Sequence, residues 1–132
     1  MEHKLFLDGT KDKISWVVQT GNQIKKEFRV HPPAYNSGYK MDVKNEEQSK
    51  FIALHAGIYW SVGVYTIKDG DTVNVMCDSK KMYDILSLKH EISDQIINDK
   101  IHFINHFIKQ RKLIVNYYLI DSDKNLASEL IR

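Results

Sequence analysis

The chain has 132 residues, of which 42% are hydrophobic and 27% charged, and these proportions predict one domain over residues 1–132 with a core of its own. Its net charge of +2 permits contact with nucleic acid but does not require it. The one cysteine, Cys77, excludes an internal disulfide framework and a cysteine-based zinc site. We expect a cytoplasmic protein, because no signal peptide is evident and no apolar stretch approaches the roughly 20 residues that span a bilayer.

Three strands joined by short turns are predicted at the start of the chain. The segments rich in side chains that favour β-structure are residues 4–8, 14–19 and 23–30. Gly21-Asn22, between the second and third of them, is a hairpin turn signal. We therefore expect an antiparallel meander, which Pro32-Pro33 ends before a loop over residues 34–44.

Helices and strands alternate in the rest of the sequence. Asn45 is a favourable N-cap for a helix over residues 46–60, with Gln48 at the capping-box position. The remaining predicted elements are a strand over 72–77, a short helix around 82–88, a longer helix that begins after Ser93 or Asp94 and ends near Lys112, a strand over 113–120 and a terminal helix over 124–131. This order predicts an α/β protein with a mixed sheet and helices packed on its faces.

Two aspartates follow strand-like segments in the same way. Asp8 ends the first predicted strand and precedes Gly9, and Asp78 ends the fourth and precedes Ser79. Carboxylates that meet at separate strand ends are the ligands that a divalent-metal phosphoryl-transfer site needs. An isolated aspartate at a strand end is more commonly a turn former, so the hypothesis depends on the motifs that accompany the pair.

Four short segments, in chain order, resemble the motifs of the type 1 ribonuclease H family. They are Asp8-Gly9-Thr10, Ser49-Lys50-Phe51-Ile52-Ala53-Leu54, Cys77-Asp78-Ser79 and Lys124-Asn125-Leu126-Ala127-Ser128-Glu129-Leu130, which resemble the family's "DG(S/T)", "AExxAL", "(T)DS" and "NxxADxL". The resemblance implies a ribonuclease H-like fold. In that fold a five-stranded mixed sheet, three antiparallel strands and then two parallel ones, has helices on both faces.

The resemblance also implies a site and a substrate. In the family, four carboxylates hold two divalent ions, usually Mg²⁺, with Mn²⁺ as a substitute, and the RNA strand of an RNA–DNA hybrid is cut. The first and third carboxylates correspond to Asp8 and Asp78, but the second falls on Lys50 and the fourth on Ser128. The family's mobile histidine after the last strand has no counterpart between Leu119 and Lys124.

Lys50 changes the electrostatics that the resemblance implies. At about 4 Å and an effective dielectric constant near 20, an ammonium and a carboxylate attract each other by roughly 4 kcal/mol before desolvation. Lys50 is therefore expected to act as an internal counter-ion for Asp8 and Asp78, and Ser128 offers only a neutral oxygen. The preferred interpretation is a ribonuclease H-like protein with a degenerate metal site, which binds nucleic acid with weak or no hydrolysis.

Two alternatives stay open. In the first, Glu47 or Asp123 supplies a substitute carboxylate and the protein is an active, Mg²⁺- or Mn²⁺-dependent hybrid ribonuclease. In the second, the chain is a protein-interaction module that uses only the scaffold.

Basic residues near the ends of two predicted helices are candidate phosphate contacts. They are Lys80, Lys81, Lys109, Arg111 and Lys112. Such residues are ordinarily solvated helix termini, but in the family the helices after the fourth strand help to hold the DNA backbone of the hybrid, where cations would suit phosphate contact.

Overall fold

The computed structural model describes residues 1–31, 43–90 and 92–132. Its strands are β1 (Glu2–Gly9), β2 (Lys13–Thr20), β3 (Gln23–Val30), β4 (Thr72–Cys77) and β5 (Ile114–Leu119). Its α-helices are α1 (Glu46–Gly63), α2 (Lys80–Ser87) and α3 (Gln95–Gln110), and two 3-10 turns follow at Ser122–Lys124 and Ser128–Leu130. Positions 34–42 of the predicted loop lie outside the described residues.

The described strands form one five-stranded sheet in the order β3-β2-β1-β4-β5. β1 pairs antiparallel with β2, and β2 with β3, whereas β4 lies parallel to both β1 and β5. The predicted α/β class, with three antiparallel strands followed by two parallel ones, is confirmed.

The three α-helices pack on one face of this sheet because alternate residues of the strands are apolar on that side. Leu5 and Leu7 of β1 are buried in the same cluster as Phe51 of α1, Met82 of α2 and Ile104 of α3. Their intervening neighbour Phe6 belongs to a smaller cluster on the other face, with Val17 and Ala127. Among the described residues, no helix is long and apolar enough to cross a bilayer.

The predicted terminal helix over residues 124–131 is wrong. The first 3-10 turn ends at Lys124 and the second covers only Ser128–Leu130, with Ala127 and Leu130 packed on the second face of the sheet. Asn125 explains the interruption, because its side chain accepts a hydrogen bond from the Ala127 amide at 3.0 Å and donates one to the Leu7 carbonyl at 2.8 Å. A side chain that bonds to nearby backbone in this way competes with the regular helical pattern.

The three α-helices begin at side-chain caps. Asn45 accepts from the Gln48 amide at 2.9 Å, Ser79 from Met82 at 3.2 Å and Asp94 from Ile97 at 3.1 Å. The predicted cap of α1 is therefore confirmed, and Asp94 rather than Ser93 caps α3.

Gly9 sets how closely β1 approaches α1. A Cβ added at Gly9 would lie 2.6 Å from the carbonyl carbon of Ser49 and 2.7 Å from the amide nitrogen of Lys50. Only glycine allows this approach, which brings the beginning of α1 directly against the end of β1.

A buried polar network ties the opposite end of the sheet. His3 has a ring nitrogen 2.6 Å from the Thr20 hydroxyl and the other 2.8 Å from an Asp71 carboxylate oxygen. The same Asp71 oxygen accepts from the Lys68 amide at 2.9 Å. The network joins β1, β2 and the loop that precedes β4.

Candidate functional site

Asp8 and Asp78 lie side by side because they sit at the same end of two neighbouring parallel strands. Phe6 of β1 is paired with Met76 of β4, so the aspartates two positions later are in register. Asp8 has no exposed surface, and the side chain of Asp78 is only 6% exposed. The structure thus brings together the two carboxylates that the sequence singled out.

Lys50 reaches both carboxylates from the first turns of α1. Its ammonium donates a hydrogen bond to Asp78 Oδ1 at 2.8 Å and lies 3.8 Å from Asp8 Oδ1. The Lys50 side chain is 13% exposed, so most of it is withdrawn from water. The contacts expected of an internal counter-ion are therefore present.

Ser128 and Asn125 complete the polar surroundings from the terminal segment. The Ser128 hydroxyl donates to Asp8 Oδ2 at 2.7 Å. The Asn125 amide donates to Asp78 Oδ2 at 2.9 Å. Each of these side chains satisfies a carboxylate oxygen without adding negative charge.

Arg132 is a site residue that the sequence did not reveal. Its Nε donates to Asp8 Oδ2 at 2.7 Å and its Nη2 to Asp8 Oδ1 at 3.2 Å, a bidentate arrangement. Nη2 also donates to the Gly9 carbonyl at 3.2 Å and to Glu46 at 2.7 Å. The only signal in the sequence is its position four residues after Ser128, and that spacing does not reveal that the arginine turns back to β1.

These partners hold Asp8 in its charged form. Burial by itself would raise the pKa of Asp8, but hydrogen bonds from Arg132, Ser128 and the Gly9 amide together hold that pKa below its ordinary value. The same pairing, with Asp8 and then Glu46, raises the pKa of Arg132. The contact is therefore an ion pair at neutral pH.

The two candidate substitute carboxylates do not join the pair. Glu47 accepts a hydrogen bond from the Ser79 hydroxyl at 2.7 Å, beside Asp78 in sequence. Asp123 is exposed on the first 3-10 turn, and no hydrogen bond joins it to either aspartate within the described residues. Nowhere in residues 1–31, 43–90 and 92–132 do three or more histidine, cysteine or acidic side chains gather as a metal site would require.

The residues present do not fit the pair of divalent ions that the family resemblance implies. Both oxygens of Asp8 and both oxygens of Asp78 already accept hydrogen bonds. The position expected for a second carboxylate carries the Lys50 ammonium, which lies where a positive metal ion would have to approach. Hard divalent cations require oxygen ligands with free lone pairs. Four hydrogen bonds occupy those of Asp8, whereas each oxygen of Asp78 accepts one, from Lys50 and from Asn125.

The five candidate phosphate contacts fall into two groups that the structure does not bring together. Lys80 and Lys81 begin α2, two and three residues after Asp78, and both are exposed. Lys109, Arg111 and Lys112 precede β5, at the other end of the parallel strands. Since β4 and β5 have six residues each, the groups are separated by about 20 Å along the strands.

Members of both groups also make local ion pairs. Lys80 is paired with Asp84 at 2.7 Å. Arg111 lies 3.6 Å from Asp69 and places its guanidinium over the Phe107 ring.

No protein-family model and no curated protein sequence matches the chain. Solved structures do. An RNase H1 from the halophilic archaeon Halobacterium salinarum aligns with a TM-score of 0.77 at 14% identity, covering 98% of this chain and 94% of that one. The N-terminal RNase H domain of a Mycobacterium tuberculosis protein, solved as a fusion with maltose-binding protein, gives 0.76 at 14% identity, covering 98% and 95%.

A third similar structure is that of an RNase H1 isolated from compost by a metagenomic approach, with a TM-score of 0.71, 15% identity and coverage of 98% and 91%. The same enzyme in complex with an RNA/DNA hybrid gives 0.65 at 14% identity over the same shares. At such low identity the likeness concerns the backbone. Together with the strand order and the helix arrangement, it shows that this chain has a ribonuclease H-like fold.

Proposed function

We propose that this protein binds nucleic acid, with an RNA–DNA hybrid as the preferred form, and that it hydrolyses the bound strand weakly or not at all. The observation that carries the proposal is the Lys50 ammonium, 2.8 Å from Asp78 and 3.8 Å from Asp8. In a ribonuclease H-like fold this is the space between the two carboxylates that metal-dependent cleavage would use.

The magnitude of the repulsion supports the loss of metal-dependent cleavage. A divalent ion about 4 Å from an ammonium is repelled by on the order of 8 kcal/mol at an effective dielectric constant of 20. That is comparable with the whole binding free energy of a micromolar ligand, about 8 kcal/mol. An ion could therefore enter only if Lys50 moved away from both aspartates.

Two features support nucleic-acid binding. The backbone is similar to that of an RNase H1 that was crystallised with an RNA/DNA hybrid. Lys80 and Lys81 stand exposed beside Asp78 at the start of α2. Contacts from lysines to phosphates supply affinity without reading the base sequence.

The test combines binding and cleavage on the same molecules. Fluorescence anisotropy with labelled hybrid, duplex DNA, duplex RNA and single strands of one sequence, over a salt series, should give the tightest binding for the hybrid and a steep loss of affinity with salt. Incubation with Mg²⁺ or Mn²⁺ should leave the RNA strand largely intact. Efficient cleavage that disappears in Asp8→Asn would overturn the proposal, and absence of binding at low salt would favour a protein-interaction module.

An active hybrid ribonuclease is the second candidate, and one contact favours it. Glu47 accepts a hydrogen bond at 2.7 Å from Ser79, the residue that follows Asp78, and a shift of this side chain would be needed to bring its carboxylate to the pair. This candidate predicts that Mn²⁺-dependent cleavage is present in the wild type and lost in Glu47→Gln. A crystal soaked in Mn²⁺ would then contain an ion bound to Asp8, Asp78 and Glu47, with Lys50 displaced.

A further inference from the structure

We infer that Lys50 and Arg132 act together as built-in cations that take the place of metal ions at this site, so the folded chain neither needs nor binds a divalent ion there. The inference rests on the contacts of the site alone. It stands or falls separately from the proposal that the protein binds nucleic acid.

The charges of the cluster balance in pairs. Asp78 has Lys50 at 2.8 Å, and Asp8 has Arg132 at 2.7 Å. The two buried carboxylates are thus matched by two cations, and the third carboxylate in contact with Arg132, that of Glu46, lies at the exposed rim of the cluster. An unpaired buried carboxylate would create a demand for an external cation, and here that demand is already met.

The hydrogen bonds of the cluster leave little room for a metal. Asp8 Oδ1 accepts from the Gly9 amide and from Arg132, and Asp8 Oδ2 accepts from Ser128 and from Arg132. Asp78 Oδ1 accepts from Lys50 and Oδ2 from Asn125. A metal ion would have to displace charge-assisted hydrogen bonds, which are stronger than neutral ones.

Arg132 is as important as Lys50 in this arrangement, because the two cations serve different carboxylates. Removing Lys50 frees Asp78, but Asp8 is still held in a bidentate pair by Arg132. Arg132 is also anchored by Glu46 and by the Gly9 carbonyl. A change at Lys50 alone is therefore not expected to open a metal site, whereas removing both cations is.

The first experiment uses the wild-type protein without nucleic acid. Thermal unfolding is followed in EDTA, in Mg²⁺ and in Mn²⁺, and bound Mn²⁺ is measured by electron paramagnetic resonance. We expect the same melting temperature in all three conditions and no bound Mn²⁺. A ligand that binds only the folded state raises the melting temperature, so a rise of several degrees with bound Mn²⁺ would overturn the inference.

The second experiment removes the cations. Lys50→Met with Arg132→Gln is compared with each single variant, and with Lys11→Met plus Lys68→Gln, which removes the same charge from two exposed positions. The first double variant should melt at a lower temperature in EDTA and regain several degrees in Mn²⁺, while the single variants and the control pair respond little.

The outcome that contradicts the role of Arg132 is a Mn²⁺ response of Lys50→Met equal to that of the double variant. Should the double variant unfold in EDTA, refolding it in Mn²⁺ decides the matter. Recovery of the folded state supports the inference. Failure of Mn²⁺ to restore the folded state, or a folded double variant whose melting temperature does not respond to Mn²⁺, rejects the two cations as metal substitutes.

Discussion

Asp8 has no exposed surface, and the groups that compensate its charge come from far along the chain. Transferring a carboxylate out of water costs several kcal/mol even after relaxation, and that cost is offset only when a cation and hydrogen bonds are in place. Arg132 and Ser128 meet this requirement with contacts of 2.7 Å each. The stability of a variant at this site should therefore depend on whether each buried carboxylate keeps its cation.

Replacing Lys50 by methionine should lower the free energy of unfolding by about 3 kcal/mol, because removal of one partner leaves a buried charge uncompensated. The measurement is urea denaturation at neutral pH. The matched control is Lys80→Met, which breaks an exposed pair with Asp84 and should cost less than about 0.5 kcal/mol. Equal losses in the two variants would contradict the assignment of Lys50 as a buried counter-ion.

Asp71 makes stability depend on pH in the acid range. Burial would raise its pKa, but hydrogen bonds from His3 and the Lys68 amide lower the pKa from 3.8 to about 2. Because the folded-state pKa is the lower one, this contribution is complete above the ordinary pKa and is lost as the pH falls toward 2. It amounts to about 2 kcal/mol.

Asp71→Asn should therefore be less stable than the wild type at pH 6, and its stability should decline less between pH 5 and pH 2. Urea denaturation at a series of pH values measures both effects. Asp69→Asn is the control, since the Asp69 side chain is 64% exposed and its replacement should leave the wild-type pH profile unchanged. If Asp71→Asn lost as much stability between pH 5 and pH 2 as the wild type does, Asp71 would be ruled out as the source of the pH dependence.

The regular elements were largely predictable because their signals are local. Alternating apolar residues, the turn at Gly21-Asn22 and the cap at Asn45 all act within a few residues of where they stand. The terminal helix over 124–131 was not predictable in this way. Its residues have helical spacing, but Asn125 bonds to Leu7 and Asp78, more than 40 positions away in the sequence, and these tertiary contacts override local preference.

The junction between β1 and α1 can be tested at two glycines. Gly9→Ala should lower the free energy of unfolding by at least about 2 kcal/mol, because overpacking against backbone atoms forces the elements apart. Gly63→Ala, at the end of α1, meets nothing within 4 Å and should be neutral or stabilising by up to about 1 kcal/mol. Denaturant unfolding of both variants gives the comparison, and a well-tolerated Gly9→Ala would show that β1 and α1 can separate freely.

At the scale of the whole molecule, the site was only partly predictable from the sequence. Family motifs placed Lys50 and Ser128 beside the two aspartates, and the structure brings all four together. Arg132 was missed because no motif marks it. Asn125 belongs to the terminal motif, but its contacts with Leu7 and Asp78 were missed because these partners are distant in sequence. A local sequence pattern shows where a strand ends, but not which later segment of the chain packs against that end.

Because the basic residues are divided between the two ends of the sheet, replacing each group separately tests at which end a hybrid binds under the proposed function. Lys80→Gln with Lys81→Gln should weaken hybrid binding and reduce the slope of affinity against salt by up to about 2, since each phosphate contact contributes about 0.9. Lys109→Gln with Lys112→Gln removes the same charge and should leave that slope unchanged. Anisotropy titrations over a salt series measure both, and a larger effect of the second pair would place the nucleic acid at the other end.

The contact between Arg132 and Asp8 joins positions 124 residues apart, and this separation has a consequence for folding. A chain is synthesised from its N-terminus, and contacts between distant residues form late because a long loop must close first. β1 and α1 can pack together before Arg132 has been added to the chain. Until then the counter-charge for Asp8 is Lys50, 3.8 Å away. Docking of the segment that carries Ser128 and Arg132 is therefore expected to complete the site, and until then Asp8 is a carboxylate that resists burial.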